Sequence, residues 1–531
     1  MTNVAAAALP IEQPQSRESR VAPVLLACAI FATLSILCAI TSDGFLEADS
    51  CTHYLYARLA LREPIRENLH HLVNVWGRPL CTGLYAIPAA IGQRLGVRLM
   101  SCALALVCGL AAMRVAKLQG YRWPVLALIF TLAQPLVFLH SFSELTELPF
   151  AALIILAFWA YRARQFWLMA LLAGISPTGR PEGFGFIALA VAALVLHRRW
   201  YWLPLLFLPL AMWNYAGWEL SGREGLWWQW VKNNWPYAQE SLYPRGRLLH
   251  FVVLLPVVTS PLIFPATALG IWRSVAALWA DENRDGSYLS PGIWRSVAAL
   301  GAKESGEEKR DGSYLFPLRA FFADHAARCQ ASIAFIPFGI LVGHSLLYWL
   351  GKMASNGELR YMLAVAPFWG LLSAKGWEWV FERLQWRRPL AWAGVASLLP
   401  MLANFAYPVV PLVYMDDWKQ AKQIATWLDE TPLRKDHPTL MLAHPAIFYF
   451  MDSGPGSSAK GVEWKESILA QAPPGTLMVW DPIYGVFNSD AARSITLEEI
   501  EAAGWVPRAL PDDIGGDWRI FVSPTPATTL P

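Results

Sequence analysis

Residues 21–53 read VAPVLLACAIFATLSILCAIT-SDGFLEADSCTH, and the junction after Thr41 decides the fold. The apolar run from Val21 to Thr41 matches the roughly 20 residues a helix needs to cross about 30 Å of hydrocarbon. Arg17 and Arg20 precede it, which predicts a span entering from the cytoplasm and a cytoplasmic tail over 1–21. A signal peptide would have a shorter apolar core and a small-residue cleavage site, which this polar leader does not suit. Composition points the same way. The 531 residues are 55% hydrophobic and 16% charged, with mean hydropathy +0.34, where a soluble domain carries about 25% charged residues. An ordinary soluble enzyme is excluded. Forty-three Lys and Arg against 40 Asp and Glu give a formal charge of +3, which leaves no basic excess for nucleic acid.

Working outward, the positive-inside rule sets the topology. The apolar piece Pro79–Ile91 is too short to span and suits an interfacial helix. With residues 42–97 left as one outer loop, spans near 97–116, 123–140 and 148–161 put Arg114, Lys117, Arg122, Arg162 and Arg164 in the cytoplasm. Phe166–Ser176 and the run up to Leu196 are short helices meeting at Pro177-Thr178-Gly179-Arg180-Pro181-Glu182-Gly183. Non-helical backbone at membrane depth is tolerated only beside protein or a watery cavity, so this turn borders one. Further spans are expected near 201–217, 251–271, 331–350, 362–375 and 390–412, with a Trp-rich interfacial loop over 218–250. The expectation is a polytopic α-helical membrane protein with about eleven spans, an odd number that places the C-terminus outside.

Three other features organise the chain. GIWRSVAAL at 270–278 recurs at 292–300, and DGSYL at 285–289 recurs at 311–315. Two copies are too few for a solenoid, so a duplicated cytoplasmic loop over 272–329 is expected. Residues 413–531 turn water-soluble: helical periodicity over 416–430 and 494–503, strand-like runs at 439–443, 476–480 and 519–522, together a small α/β extracytoplasmic domain. Of the seven cysteines, Cys51 and Cys81 are the one candidate pair, and an odd count without metal-ligand spacing argues against a disulfide framework or zinc site.

The polar residues that composition does not explain fall on the expected outer side. Glu47-Ala48-Asp49 with His53 follows the first span, Ser143-Glu144-Leu145-Thr146-Glu147 opens the next outer loop, and Arg78, Arg180 with Glu182, and Arg360-Tyr361 add cations. Ionisable groups at or below the interface are costly and mark a functional cavity. Transfer of a sugar from a polyprenyl phosphate needs a carboxylate to take a hydroxyl proton and cations to hold the departing phosphate. Each group also has a structural alternative. Acids favour helix starts, which suits Glu47, Asp49, Glu144 and Glu147. Arg78 and Arg360 can snorkel to headgroups, Arg180 and Glu182 can neutralise each other, and His53 can be a structural histidine.

Taken together these segments resemble the GT-C-fold glycosyltransferases, specifically bacterial relatives of the protein O-mannosyltransferase and aminoarabinose transferase group. Glu47-Ala48-Asp49 resembles the acidic motif of the first outer loop, Trp76-Gly77-Arg78-Pro79-Leu80 its later basic segment, and Glu144-Leu145-Thr146-Glu147 the second-loop acidic site. Thr178-Gly179-Arg180-Pro181-Glu182-Gly183 and Arg360-Tyr361-Met362-Leu363 resemble two further family segments, and the resemblance covers residues 22–412. It implies a GT-C-like membrane domain in the inner membrane and a lipid-linked sugar donor. The acceptor is protein, lipid or glycan. One first-loop carboxylate, Asp49 before Glu47, is implied as general base. The family pattern is an Asp-Glu pair or a lone Asp, so the spacing by Ala48 leaves the base open between them. The resemblance leaves metal open too, since family members work either without a cofactor or with a divalent ion. A transporter or flippase, or a noncatalytic envelope-assembly scaffold, are the competing classes.

Overall fold

The computed structural model describes residues 21–44, 48–62, 65–235, 244–279, 325–353, 356–385, 388–406, 413–437, 439–442, 444–452, 469, 472–485, 495–511, 514 and 516–524. Glu47, the second GIWRSVAAL copy, both DGSYL copies and the end of the expected last span lie outside the described residues. The chain is a helical bundle that opens with α1 (Ala22–Thr41), α2 (Ala48–Leu59) and α3 (Ile65–Val73). Next comes α4 (Pro79–Leu118), a run of 40 residues whose backbone leaves the helix at Gln93 (φ 49°, ψ −137°). The piece before Gln93 is the segment too short to span, and the piece after it continues into the bundle.

Among the described residues three helices are long and apolar enough to cross a membrane: Ala22–Thr41, Pro79–Leu118 and Arg328–Leu350. The other expected spans are shorter, broken or, like Leu203–Leu220 and Ala366–Leu384, long enough but less apolar, and proline sits at several breaks. The 123–140 segment divides into α5 (Val125–Leu132) and α6 (Pro135–His140), because Pro135 has no N–H to continue the ladder. Then follow α7 (Glu147–Arg162), α8 (Phe166–Ile175), α9 (Gly183–Leu196), α10 (Leu203–Leu220) and α11 (Trp230–Asn233). The segment expected as one span over 251–271 is instead two helices, α12 (His250–Thr259) and α13 (Phe264–Trp279). They are bent by 115° at a break that holds Ser260 at φ 77° ahead of Pro261. The first GIWRSVAAL copy is therefore not loop but the second half of α13.

Helix α7 lies at the centre of the bundle, buried along nearly its whole length. It packs chiefly against α4 and α8, and later in the chain come α14 (His325–Leu350), α15 (Ala366–Leu384), which lies along α13, and α16 (Pro389–Ala406). Small residues let these backbones touch. A Cβ on Gly270 would come within 1.8 Å of the Leu372 carbonyl oxygen, and one on Gly376 within 1.8 Å of that of Ala266. That is the small-residue close packing by which helices associate in lipid, where no hydrophobic gain is available.

After residue 413 the chain builds α17 (Asp416–Glu430), α18 (Leu433–Asp436), α19 (Pro445–Phe450) and α20 (Leu497–Ala502) around a four-stranded sheet. Strands β1 (Leu440–Leu442), β2 (Leu477–Trp480), β3 (Val506–Arg508) and β4 (Arg519–Val522) run in the order β1-β2-β4-β3. The β1–β2 pair is parallel and the other two are antiparallel, with Leu477 opposite Val522. One face of the sheet has its own core, with Met441, Met478, Trp480, Ile500, Trp505 and Phe521, and the other face packs on the first loop. Cys51, Tyr54, Tyr85 and Val97 share one buried cluster with Trp418, Ile424, Tyr449 and Leu477. All seven cysteines are free, so Cys51 and Cys81 do not form the candidate pair.

Two polar ties, one partly exposed and one buried, join this unit to the first loop. Asp452 accepts from the Tyr54 hydroxyl at 2.7 Å and pairs with Arg58 Nε at 2.9 Å and Arg62 at 3.0 Å. Glu144 pairs with Arg98 Nε at 3.0 Å and accepts from the Tyr449 hydroxyl at 3.0 Å, with Glu144 wholly buried. Removing one partner of a buried pair strands the other charge. Glu144→Gln is therefore expected to cost about 3–5 kcal/mol, read as a lowered melting temperature in detergent. Glu144→Asp should recover part of it. An unchanged melting temperature would show that this tie does not hold the seat.

Candidate functional site

The first loop contributes three side chains to one cavity. Asp49 lies in the first turn of α2, where an acid suits the helix N-terminus. His53 is one turn further along the same face. Ahead of α4, the Asn74 carboxamide oxygen accepts from the Trp76 and Gly77 amides at 2.8 and 3.0 Å. This turn delivers Arg78 to the helix start with φ 62°, a positive value uncommon for any residue but glycine. Arg78 is 4% exposed.

The second and third contributions come from breaks in the bundle. Glu147 begins α7 and is buried. Arg180 sits on the turn between α8 and α9, which closes tightly because residue 183 is glycine. A Cβ there would come within 2.3 Å of the Ser176 and Pro177 backbone. Arg360 and Tyr361 belong to a 3-10 turn over Leu359–Val365 that leads into α15.

These groups join into a run of alternating charge. Arg360 donates to Asp49 at 2.7 Å, is bonded to Glu358, and stands 3.8 Å from Glu147. Glu147 pairs with Arg180 at 2.5 Å, and Arg180 pairs with Glu182 at 3.0 Å. Glu182 lies 3.2 Å from His344 Nε2. The His344 ring is stacked on Tyr361, with centroids 4.8 Å apart and planes at 15°. Burial pushes the His53 imidazole down to about 4, the nearby Asp49 carboxylate opposing the fall, so His53 is neutral at physiological pH.

The cavity these residues surround has a volume of about 340 Å³, at the lower end of small-molecule sites, which run from about 300 to 1,000 Å³. Its floor is charged: Asp49, Arg78, Glu147, Arg180, Glu358 and Arg360. Its other lining includes His53, Tyr361, Trp76, Met415, Trp418 and Tyr484, the last three from the C-terminal unit.

Of the candidates read from sequence, Asp49, His53, Arg78, Glu147, Arg180, Arg360 and Tyr361 line this cavity. Glu182 supports it from behind through Arg180 and His344. Glu144 does not line it. Its carboxylate turns toward Arg98 and Tyr449, because residues 143–146 precede the helix and only Glu147 falls within α7. Sequence reasoning passed over Glu358, Asn356, His344 and the C-terminal aromatics. The signal for His344 was present, since it is an ionisable side chain within a long apolar helix. Nothing local marks Trp418 or Tyr484. Among the described residues no three His, Cys, Asp or Glu side chains converge as metal ligands.

No family model matches the chain, and no curated protein does. Among solved structures it is similar to ArnT from Cupriavidus metallidurans bound to undecaprenyl phosphate, with TM-score 0.56 at 11% identity. The match covers 96% of this chain and 99% of that one. The apo structure of the same protein matches with TM-score 0.45 at 13% identity over 95% and 98% of the two chains. At this identity the likeness concerns the fold alone.

Proposed function

We propose that the chain is an inner-membrane glycosyltransferase that moves a sugar from a polyprenyl-phosphate donor to an acceptor hydroxyl on the extracytoplasmic side. One observation carries this reading: a solvent-reachable carboxylate and three guanidiniums, drawn from four separate segments, line one cavity. The fold likeness to a protein crystallised with undecaprenyl phosphate supports the donor class.

The two acids suit different tasks. Glu147 is 1% exposed and held against Arg180 and Arg360, which fits it to fix those cations. Asp49 keeps 34% of its side chain open and among the described residues pairs with one guanidinium, that of Arg360, which fits it to take a proton. Its hold on Arg360 must loosen when a phosphate arrives, since the same guanidinium would serve both anions. The acceptor O–H proton then passes to the Asp49 carboxylate while the acceptor oxygen attacks the anomeric carbon. The bond from that carbon to the phosphate oxygen breaks, its electron pair stays on the phosphate, and Arg78, Arg180 and Arg360 meet the developing charge. Attack opposite the leaving phosphate inverts the anomeric centre. Guanidiniums supply the phosphate-binding charge in this scheme, so turnover is expected to survive chelation with EDTA. Its loss on chelation and return with a divalent cation would assign that role to a metal ion instead.

Purified protein with a radiolabelled polyprenyl-phosphate sugar tests the reading. Asp49→Asn is expected to lower turnover about 10²- to 10⁴-fold, and Arg360→Ala about 10²- to 10³-fold, with Arg360→Lys intermediate. Vectorial movement of substrate without a new covalent product would instead show a transporter, and neither activity a scaffold. The neutral His53 gives a separate expectation. Its unfolded pKa is roughly 6.5 and its folded one is lower, so the unfolded chain binds more protons between these values. Its contribution to stability is full above that unfolded value and is lost as pH falls toward 4. The melting temperature of His53→Gln should therefore drop less between pH 7 and pH 5 than that of the unaltered protein.

A further inference from the structure

A second group of ionisable side chains lies at the end of the bundle away from the cavity, and the proposed reaction does not use it. Helix α7 starts at Glu147 in the cavity and runs 16 residues, roughly 24 Å of helix. Helix α9 likewise starts beside Glu182 and runs to Leu196. Where α7 and α9 end and α14 begins, the rings of Tyr161, His197 and His325 meet edge to face, the two imidazole centroids 4.9 Å apart. Arg328 Nη2 lies 3.4 Å from His197 Nε2, and His325 Nε2 lies 3.3 Å from the Arg162 carbonyl oxygen. Burial first, then the basic side chains of Arg328, His325, Arg164 and Arg199, push the His197 imidazole down to about 4. No carboxylate among the described residues pairs with Arg162, Arg164 or Arg199.

The backbone at this end would favour glycine where the chain has arginine. Helices α7 and α9 close in the same turn, with the Gln165 amide donating to the Ala160 carbonyl at 2.8 Å and the Arg199 amide to that of Leu194 at 2.7 Å. The left-handed residue of each turn is an arginine, Arg164 at φ 58° and Arg198 at φ 55°, in the position glycine usually takes. Beside them Val195, Leu196, Trp167 and Trp200 turn apolar surface outward, Trp200 with 65% of its area exposed.

We propose that this end of the bundle binds the headgroup of an anionic phospholipid in the leaflet opposite the cavity, with the phosphate on Arg164 and Arg199 and the acyl chains along Val195 and Leu196. Basic pockets between membrane helices take anionic headgroups, and guanidiniums meet phosphate oxygens with paired N–H donors. The exposed indoles favour a lipid over a free phosphate, since tryptophan settles at headgroup depth. His197, kept neutral, fills the space between the helix ends without adding to the repulsion among the guanidiniums. The site is independent of the transfer reaction and requires only that the chain spans a membrane.

Native mass spectrometry of the full chain released from detergent micelles tests it, with phosphatidylglycerol and phosphatidylcholine of the same acyl chains offered in equal amounts. The unaltered protein is expected to retain phosphatidylglycerol in preference. Arg164→Gly should lower that preference about fivefold, the share of one guanidinium at an anionic surface, and adding Arg199→Ala should lower it further. Glycine accepts φ 58° without strain. The melting temperature of Arg164→Gly in lipid-free detergent should therefore hold or rise, while the increase that phosphatidylglycerol gives should shrink. Arg383→Ala removes an exposed cation from the last turn of α15 and Arg360→Ala one from the cavity, and neither should change the preference. Equal retention of the two lipids, a preference intact in the double variant, or an equal loss in Arg383→Ala or Arg360→Ala overturns the site. Displacement of phosphatidylglycerol by inorganic phosphate would give the cations to a soluble anion and overturns it too. The transferase reading survives each of these outcomes, since none of them measures sugar transfer.

Discussion

Charge buried away from water must be paired, and the pairing here is what draws distant segments to one place. Asp49, Arg360, Glu147, Arg180, Glu182 and His344 form a run in which each acid touches a base. The buried members Glu147, Arg180 and Glu182 could not be left alone without a cost of several kcal/mol. The run crosses the start of α2, the start of α7, the turn before α9, the 3-10 turn before α15, and α14. Every one of these is a helix end or break, apart from His344, which lies within α14. The breaks in the bundle are thus where its ionisable groups are housed, and helix ends have unsatisfied polar backbone able to share that work.

Much of this was readable in advance, for reasons that differ by element. The first span, the polar turn at 177–183 and the long helix over Arg328–Leu350 follow from apolar length and from proline and glycine placement. Asp49, Arg78, Arg180 and Arg360 stood out because charge in an apolar context is expensive, a cost visible without coordinates. Strand-like runs at 439–443, 476–480 and 519–522 fall on β1, β2 and β4, whereas β3 was missed because Pro507 interrupts it.

What sequence could not resolve were relations at long range. Glu144 and Glu147 read alike from their spacing. They diverge because α7 starts between them, sending one toward Arg98 and the other toward Arg180. The seat of the C-terminal unit on α2 and α4 was likewise invisible, since Tyr54 and Asp452 are separated by 398 positions. The single span expected over 251–271 failed on Ser260 and Pro261, where apolar composition masks a change of direction. Similarity to the ArnT fold at 11% identity fits this division: the path of the chain is kept while nearly all of its side chains differ.

The shared core of the first loop and the C-terminal unit has a consequence for biosynthesis. Chain emerges from the ribosome N-terminus first, and contacts of large sequence separation form last. The Asp49 helix is made early, yet Tyr484, which completes the cavity wall, is made late. Tyr54 and Arg58 wait for Asp452 throughout the intervening synthesis. A chain truncated before residue 415 therefore lacks the whole C-terminal part of the cavity wall, and one ending between 418 and 452 keeps Trp418 while Tyr54, Arg58 and Arg62 lose Asp452.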